Sequence, residues 1–276
     1  MQTASWLSFF ARNCMAIFAK NHFWKNMRQA EINITLPTSW EEIDGNRLAE
    51  VLAIQATGLP AADVKILLAL KWSGLSPVTM AGTDFVVLKN GLQVRVPAVC
   101  LAGMIHTLDF IDTPPASPAR PDTLRGYRAI DAALHGTPFG MYLQLSNYFR
   151  LYLQATAEVA NDPEAAERAE PILRRAACIL YEGMQDPEPL TAVEQITVLH
   201  WLTGLFTMMA REHSHLYQGA GDADTAAATD MREAMLAQIR ALTGGDITKE
   251  QAVLDADTWT ALAELDAKAR EAQKYR

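Results

Sequence analysis

Between Glu194 and Arg211 the chain runs "QITVLHWLTGLFTMMA", with no acidic or basic side chain apart from His200. Thr191 and Glu194 precede this run at the spacing of a capping box, in which hydroxyl and carboxylate each satisfy a free backbone N–H. The segment therefore reads as a helix that is apolar nearly all round. Such a helix has to be covered on every side, which places it at the centre of a bundle. Gln195, Thr197, Thr203 and Gly204 interrupt it too often for it to span a bilayer. This one stretch commits the C-terminal half of the chain to helical packing.

The rest of that half agrees. "TPFGMYLQLSNYFRLYLQATAEVA" opens with Thr137 as the expected N-cap and Pro138 in the first turn. Phe139, Tyr142, Leu143, Phe149, Tyr152 and Leu153 then recur at helical spacing. Asp162 and Pro163 start a further helix, with Pro171 placed to kink or split it. "MREAMLAQIRALTGG" stops at paired glycines, "DITKEQAVLD" adds a short turn, and "DTWTALAELDAKAREAQK" forms a last helix capped by Asp257.

Ahead of these lies "DTPPASPARPD", Asp112 to Asp122, with four prolines in eleven residues. It cannot be the interior of a helix or sheet. It is expected to be a linker or an extended surface crossing, and marks the boundary between two halves. In the first half, "EINITL" alternates Ile32, Ile34 and Leu36 like a half-buried strand, and Ser39 with Glu42 fits a capping box. Two helices follow, closed by Gly58 and Gly74. "DFVVLKNGLQVRV" then reads as a hairpin turning at Asn90-Gly91, and "PAVCLAGMIHTLDFI" as a helix.

The expected fold is thus mainly α, a helical bundle with a small N-terminal strand and one β-hairpin. Residues 29–111 form an α+β half with the hairpin at 84–97, residues 112–122 the proline-rich linker, and residues 123–276 an all-α half. Residues 1–28 stand apart: they carry Arg12, Lys20, Lys25 and Arg28, no acid, and the aromatics Trp6, Phe9, Phe10, Phe18, Phe23 and Trp24. Arg12 and Asn13 break the apolar run that a signal peptide or membrane span needs. An interfacial amphipathic helix fits the composition. The simpler expectation is a dispensable or disordered leader, with the fold starting from Met27.

The remaining 248 residues hold 20 basic and 32 acidic side chains, a balance of −12 within the chain's net −8. So acidic a body is a poor general ligand for nucleic acid, which requires clustered Lys and Arg. Two helices and a hairpin do follow the order of a winged helix. The second helix, however, offers a groove little beyond Asp63, Lys65 and Lys71. The three cysteines, Cys14, Cys100 and Cys178, are widely spaced and odd in number, which argues against a disulfide framework or zinc cluster. Glu212, His213 and His215 lie close in sequence, but neighbours two apart on a helix diverge by about 200°. A polar helix end, favouring cationic histidine, is the expectation there. No nucleophile elbow, P-loop or dinucleotide fingerprint is present, so no catalytic residue, cofactor or metal ligand is assigned.

The segments "INITLPTSWEEI", "ADVKILLALKWSGL", "YRAIDAALHGTPFGMYLQLSNYF", "LTAVEQITVLHWLTGLF" and "GDITKEQAVLDADTWTALAELDAKAREAQ", in that order, resemble a family of bacteriophage and prophage proteins similar in character to tail-assembly chaperones. The resemblance implies a non-enzymatic, cytoplasmic protein of the host cell. It would bind a tail component, such as the tape-measure protein, before the tube polymerises, and could form a homo-oligomer. It marks no catalytic residues. From the helical pattern, Tyr142, Tyr152, Trp259 and Leu262 are the candidate partner contacts, with packing inside the domain as their other reading. A winged-helix regulator or a structural virion component are the alternative functions.

Overall fold

The computed structural model describes residues 34–274 apart from 83, 160, 161, 163, 186, 187 and 218–230. The expected leader, the first part of the expected N-terminal strand and the Pro163 helix start lie outside the described residues. The chain divides into two compact units, the first ending at Pro114 and the second beginning at Pro115. The division falls inside the proline-rich segment. The described residues are mainly helical, with ten α-helices and five short strands.

In the first unit a single 3-10 turn, Trp40–Glu42, precedes α1 (Gly45–Gln55) and α2 (Ala61–Ser73). Ser39 makes no side-chain cap. The Glu42 carboxylate instead accepts from the Thr38 backbone N–H at 2.7 Å, one residue earlier than the capping-box spacing suggested. α1 starts at Asp44, whose carboxylate accepts from Arg47 N, and α2 ends at Gly74 in the left-handed conformation. Three antiparallel strands follow in the order β1-β2-β3: β1 (Ser76–Ala81), β2 (Asp84–Lys89) and β3 (Leu92–Pro97). Asn90 and Gly91, with φ of 51° and 79°, make the expected turn between β2 and β3. β1 is an addition to the expected hairpin. Its Pro77 and an irregular register near it belong to an edge strand, where a missing N–H costs no ladder bond. α3 (Ala98–Thr107) and a 3-10 turn, Asp109–Asp112, complete the unit. Ile34 and Leu36 join no sheet among the described residues; they pack into the core.

Two small clusters hold this unit. One gathers Val51, Val64, Leu68, Ala69, Leu108 and Ile111; the other joins Leu70 and Leu75 to Val87 and Val94 of the sheet. Lys65, 9% exposed, reaches from α2 to Asp109 (2.6 Å) and Asp112 (2.7 Å). A buried ammonium held by two carboxylates pins the last turn onto α2.

The second unit begins with the proline-rich segment, which is seated on helix rather than free. A two-stranded ladder, β4 (Thr123–Leu124) and β5 (Tyr127–Arg128), leads into α4 (Phe139–Glu158), α5 (Ala165–Leu180), α6 (Ala192–Glu212) and α7 (Ser214–Tyr217). α8 (Met231–Thr243), α9 (Glu250–Leu254) and α10 (Thr258–Gln273) finish it. The ladder departs from the expected all-α half, because Arg125 and Gly126, with φ of 52° and 84°, close a turn that an Arg-Gly pair does not advertise. α5 runs unbroken through Pro171. The N-cap of α4 is Pro138 and not Thr137; Phe139 N–H donates to Ala256 O at 2.8 Å, and Thr137 O accepts from Thr258.

α6 is the centre. Val198, Trp201, Leu202, Leu205 and Met209 are all fully buried. Its N-terminus carries the capping box of Thr191 and Glu194 in both directions. Arg125 then grips the same carboxylate with two bonds of 2.6 Å and donates to Glu188 O and Pro189 O at 2.9 Å. Farther along, the proline-rich segment crosses α6 at Gly204, where a Cβ would stand 2.6 Å from Ser117 O and 3.1 Å from Pro115. The Arg120 guanidinium lies over the Trp201 ring at 5.1 Å and donates to Ile130 O at 2.7 Å.

Gly204→Ala gains helix propensity worth about 1 kcal/mol but drives a methyl into the Ser117 backbone, an overlap costing about 1–3 kcal/mol. The overlap wins, so the urea midpoint of the variant falls. Gly140→Ala meets Leu254 at ordinary contact distances of 3.4–3.6 Å and leaves the midpoint unchanged or raised. Acid acts at two places in the same helix. The Arg125 guanidinium beside Glu194 pulls its carboxyl from 4.5 to about 2, and burial pulls His200 from 6.5 to about 4. Both folded-state values lie below the unfolded ones, so the unfolded chain takes up protons first and stability falls with pH. Urea titrations read by tryptophan fluorescence should show a loss from pH 6.5 down to about 4, flattened by His200→Gln. A second loss follows from about 4.5 towards 2, removed by Glu194→Gln.

Candidate functional site

The four residues expected to meet a partner serve the second unit's own packing. Tyr142 is 3% exposed and Leu262 fully buried, so neither reaches a partner from the folded unit. The reason is the helical stripe itself: the face carrying Phe139, Tyr142 and Leu143 belongs to the core cluster, as does the Ala261–Leu262–Leu265 face of α10. The Tyr142 and Tyr217 hydroxyls hydrogen-bond to each other, and burial pushes Tyr142 well above the usual phenol range. Tyr152 is half-buried against the same core, and burial raises its hydroxyl too. Trp259 is half-buried; its indole N–H donates to Ala133 O at 2.8 Å and its ring stacks on His135 with centroids 4.9 Å apart.

His213 also meets the Trp259 ring, with centroids 5.4 Å apart and the rings tilted by 54°, and is 6% exposed. α6 ends at Glu212, which turns His213 inward instead of leaving it at a polar helix end. Burial lowers its pKa against the pull of Asp266 and Glu212, so the neutral ring is favoured, contrary to the cationic form expected there. His215 hydrogen-bonds to Gln273 across 3.2 Å. Among the described residues no three His, Cys, Asp or Glu side chains are placed to hold a metal ion. No described helix is long and apolar enough to cross a membrane.

The surface that packing leaves unexplained is in the first unit. α3, "AVCLAGMIHT", has no charged residue other than what His106 supplies on protonation, yet not one of its residues is buried. Leu101, Met104 and Ile105 are half-covered, and the first two pack on the Leu70–Leu75–Val87–Val94 cluster. At one residue per 100°, these three share one side of the helix, and Val99, Ala102, Gly103 and His106 share the other. That other side is open, with Val99 76% exposed and Cys100 exposed beside it.

The sheet carries exposed apolar residues of its own. Residues paired across strands share a face, as do alternate residues along one strand. The register therefore puts Met80, Phe85, Val87, Leu92, Val94 and Val96 on one face, with Lys89 beside Leu92 at its end. The middle of that face is covered by Ile66, Leu70, Leu75, Leu101 and Met104. Its two ends are not: Met80 is 44% and Leu92 66% exposed. The open side of an apolar helix offers water little to hydrogen-bond, so another apolar surface gains free energy by covering it. Apart from the Cys100 thiol and His106 of the helix and Lys89 beside Leu92, these residues offer apolar contact only. The signal in the sequence was an uncharged ten-residue helix beside a sheet too small to need two covering helices.

The second helix of the winged-helix reading, α2, is enclosed on several sides. Asp63, Val64, Lys65, Leu68, Ala69, Leu70 and Ser73 are all buried, and Lys71 pairs with Glu50 at 3.1 Å. It has no face free to enter a groove.

Because Val99 contributes little to the core, Val99→Ser changes unfolding free energy by less than about 0.5 kcal/mol. Leu101→Ala, from the covered side of the same helix, costs about 1–2 kcal/mol. Urea unfolding of the two variants checks that the open side is surplus to the fold. No family model, curated protein or solved structure matches this chain.

Proposed function

We propose that this protein is a non-catalytic binder of another protein and that the open side of α3 receives an apolar helical face of its client. The observation that carries the reading is the ten-residue helix without a charged side chain or a buried residue. Helix-in-groove recognition uses an apolar stripe set against such a surface, with polar residues at the rim. The resemblance of the five quoted segments to phage tail-assembly chaperones supplies the setting. The client is then a long helical tail component such as the tape-measure protein, bound in the host cytoplasm before assembly. The acidic body suits that role, since net charge far from zero keeps a carrier of a sticky client soluble. The enclosed α2 and the balance of −12 beyond residue 28 weigh against a DNA-binding regulator.

The test is recovery of the tagged full chain from cells expressing the surrounding gene cluster, with nuclease added and bound proteins identified by mass spectrometry. A long helical tail protein should be retained, and Val99→Glu, which places a charge at the centre of the open side, should release most of it. Retention unchanged by Val99→Glu would remove α3 from the reading. Recovery of nuclease-sensitive material alone would overturn the reading itself.

A further inference from the structure

The end of α6 holds a buried titratable group at the joint with α7. We propose that His213 is an acid-operated latch: when its ring takes up a proton it leaves its site against Trp259, and α7 comes away from α10. The inference concerns the second unit alone and stands apart from what α3 binds.

His213 closes the last turn of α6, its N–H donating to Met209 O at 2.9 Å, and its ring packs on Trp259. The residue is 6% exposed, and its Nε2 is buried with no hydrogen-bond partner among the described residues. A neutral imidazole leaves one ring nitrogen without a proton, whereas the cation carries a donor on both. In its present place the cation would therefore hold an N–H at Nε2 with nothing to receive it. An ionised donor left without an acceptor is among the costliest groups to bury.

The surrounding groups do not rescue that cation. Asp266 on α10 and Glu212 just before His213 both favour the proton, but burial outweighs them. Asp266 Oδ1 is already engaged, accepting from Leu216 N–H at 3.0 Å. His135, on the loop before α4, stacks on the same indole and brings no negative charge. His215 on α7 hydrogen-bonds to Gln273. Water is the better solvent for the protonated ring, and leaving is how it reaches water.

Leaving takes α7 with it. The His213 carbonyl oxygen accepts from Leu216 N–H at 3.1 Å, so the joint and the start of α7 are one piece. The polar contacts that fasten α7 are few. Leu216 reaches Asp266, His215 and Gln273 exchange bonds of 3.2 and 3.3 Å, and the Tyr217 hydroxyl meets that of Tyr142. A four-residue helix held in this way opens at lower cost than the buried middle of α6. The sign follows from the lowered pKa of the closed form. Closure is fully favoured above about pH 6.5, the ordinary histidine value, and is lost as pH falls below it.

Hydrogen exchange of the purified full chain at about pH 7.5 and about pH 5.5, read by mass spectrometry, tests the latch. Rates are divided by those of an unstructured peptide at the same pH. Opening of α7 should rise about three-fold or more at the lower pH, while peptides around Trp201 in α6 keep their protection. His213→Phe keeps a ring against Trp259 and cannot take a proton, so its α7 should open equally at both pH values. Circular dichroism at neutral pH checks that this variant folds. Asp266→Asn keeps an acceptor for Leu216 and removes a charge that favours the proton in the closed form. Its acid response should therefore exceed that of the parent. A parent-like acid response in His213→Phe, an Asp266→Asn response no larger than the parent's, or α6 opening in step with α7 would each rule out the latch. No client enters the experiment, so either result leaves the client-binding reading where it stood.

Discussion

Everything in the second unit follows from the need to cover α6. A helix with Val198, Trp201, Leu202, Leu205 and Met209 wholly inside cannot be stable alone, and four different devices close around it. Helices α4, α5 and α10 supply apolar faces to the same cluster. The proline-rich segment supplies the crossing at Gly204, where a Cβ would stand 2.6 Å from Ser117 O. Arg125 holds the carboxylate that caps the helix start. The last device is the loop before α4, where Ala132 O accepts from Trp201 and Ala133 O from Trp259. That loop holds Leu134 at φ 64° with its side chain fully buried. A left-handed leucine costs on the order of 1–2 kcal/mol, and burial of its side chain offsets it.

The first unit answers the same physics differently. Its helix α2 is enclosed, with even an ammonium buried between two carboxylates, but its helix α3 is covered on one side only. A small unit has little apolar surface to spare and normally buries what it has. An uncharged helix left half open is therefore the exception in this unit.

Legibility in the sequence followed the range of the interaction. The capping box at Thr191, the Asp257 cap, the Asn90-Gly91 turn and the Gly74 stop are settled within four residues and were readable. So was the burial of α6, which its own composition demands. The Arg125 clamp joins residues 69 apart, and no local pattern announces it. Nor does one announce the Arg125-Gly126 turn, the left-handed Leu134, or β1, whose Pro77 reads as a breaker until its place at a sheet edge is known. Local spacing also misled. Thr137 and Ser39 look like caps, but Phe139 N–H donates to the distant Ala256 O, and Glu42 accepts from Thr38 N–H, one residue before Ser39.

The candidate site was hardest to read because aromatic residues draw attention and small apolar ones do not. Tyr142, Tyr152 and Trp259 are larger than any residue of α3, and the fold packs them, with Leu262, against its own core. Large side chains are the ones a bundle can least leave outside, so within a well-packed domain they identify the core before they identify a surface. The converse holds for α3: Ala, Val, Gly and Cys cost little to leave exposed one at a time, and only their alignment along one side of the helix turns them into a surface. Under the proposed reading, a face assembled from modest residues would give up its occupant readily, since each contact is worth only a fraction of a kcal/mol. Exchange is what the proposed carrier role requires, and a face of this composition suits it better than an aromatic pocket would.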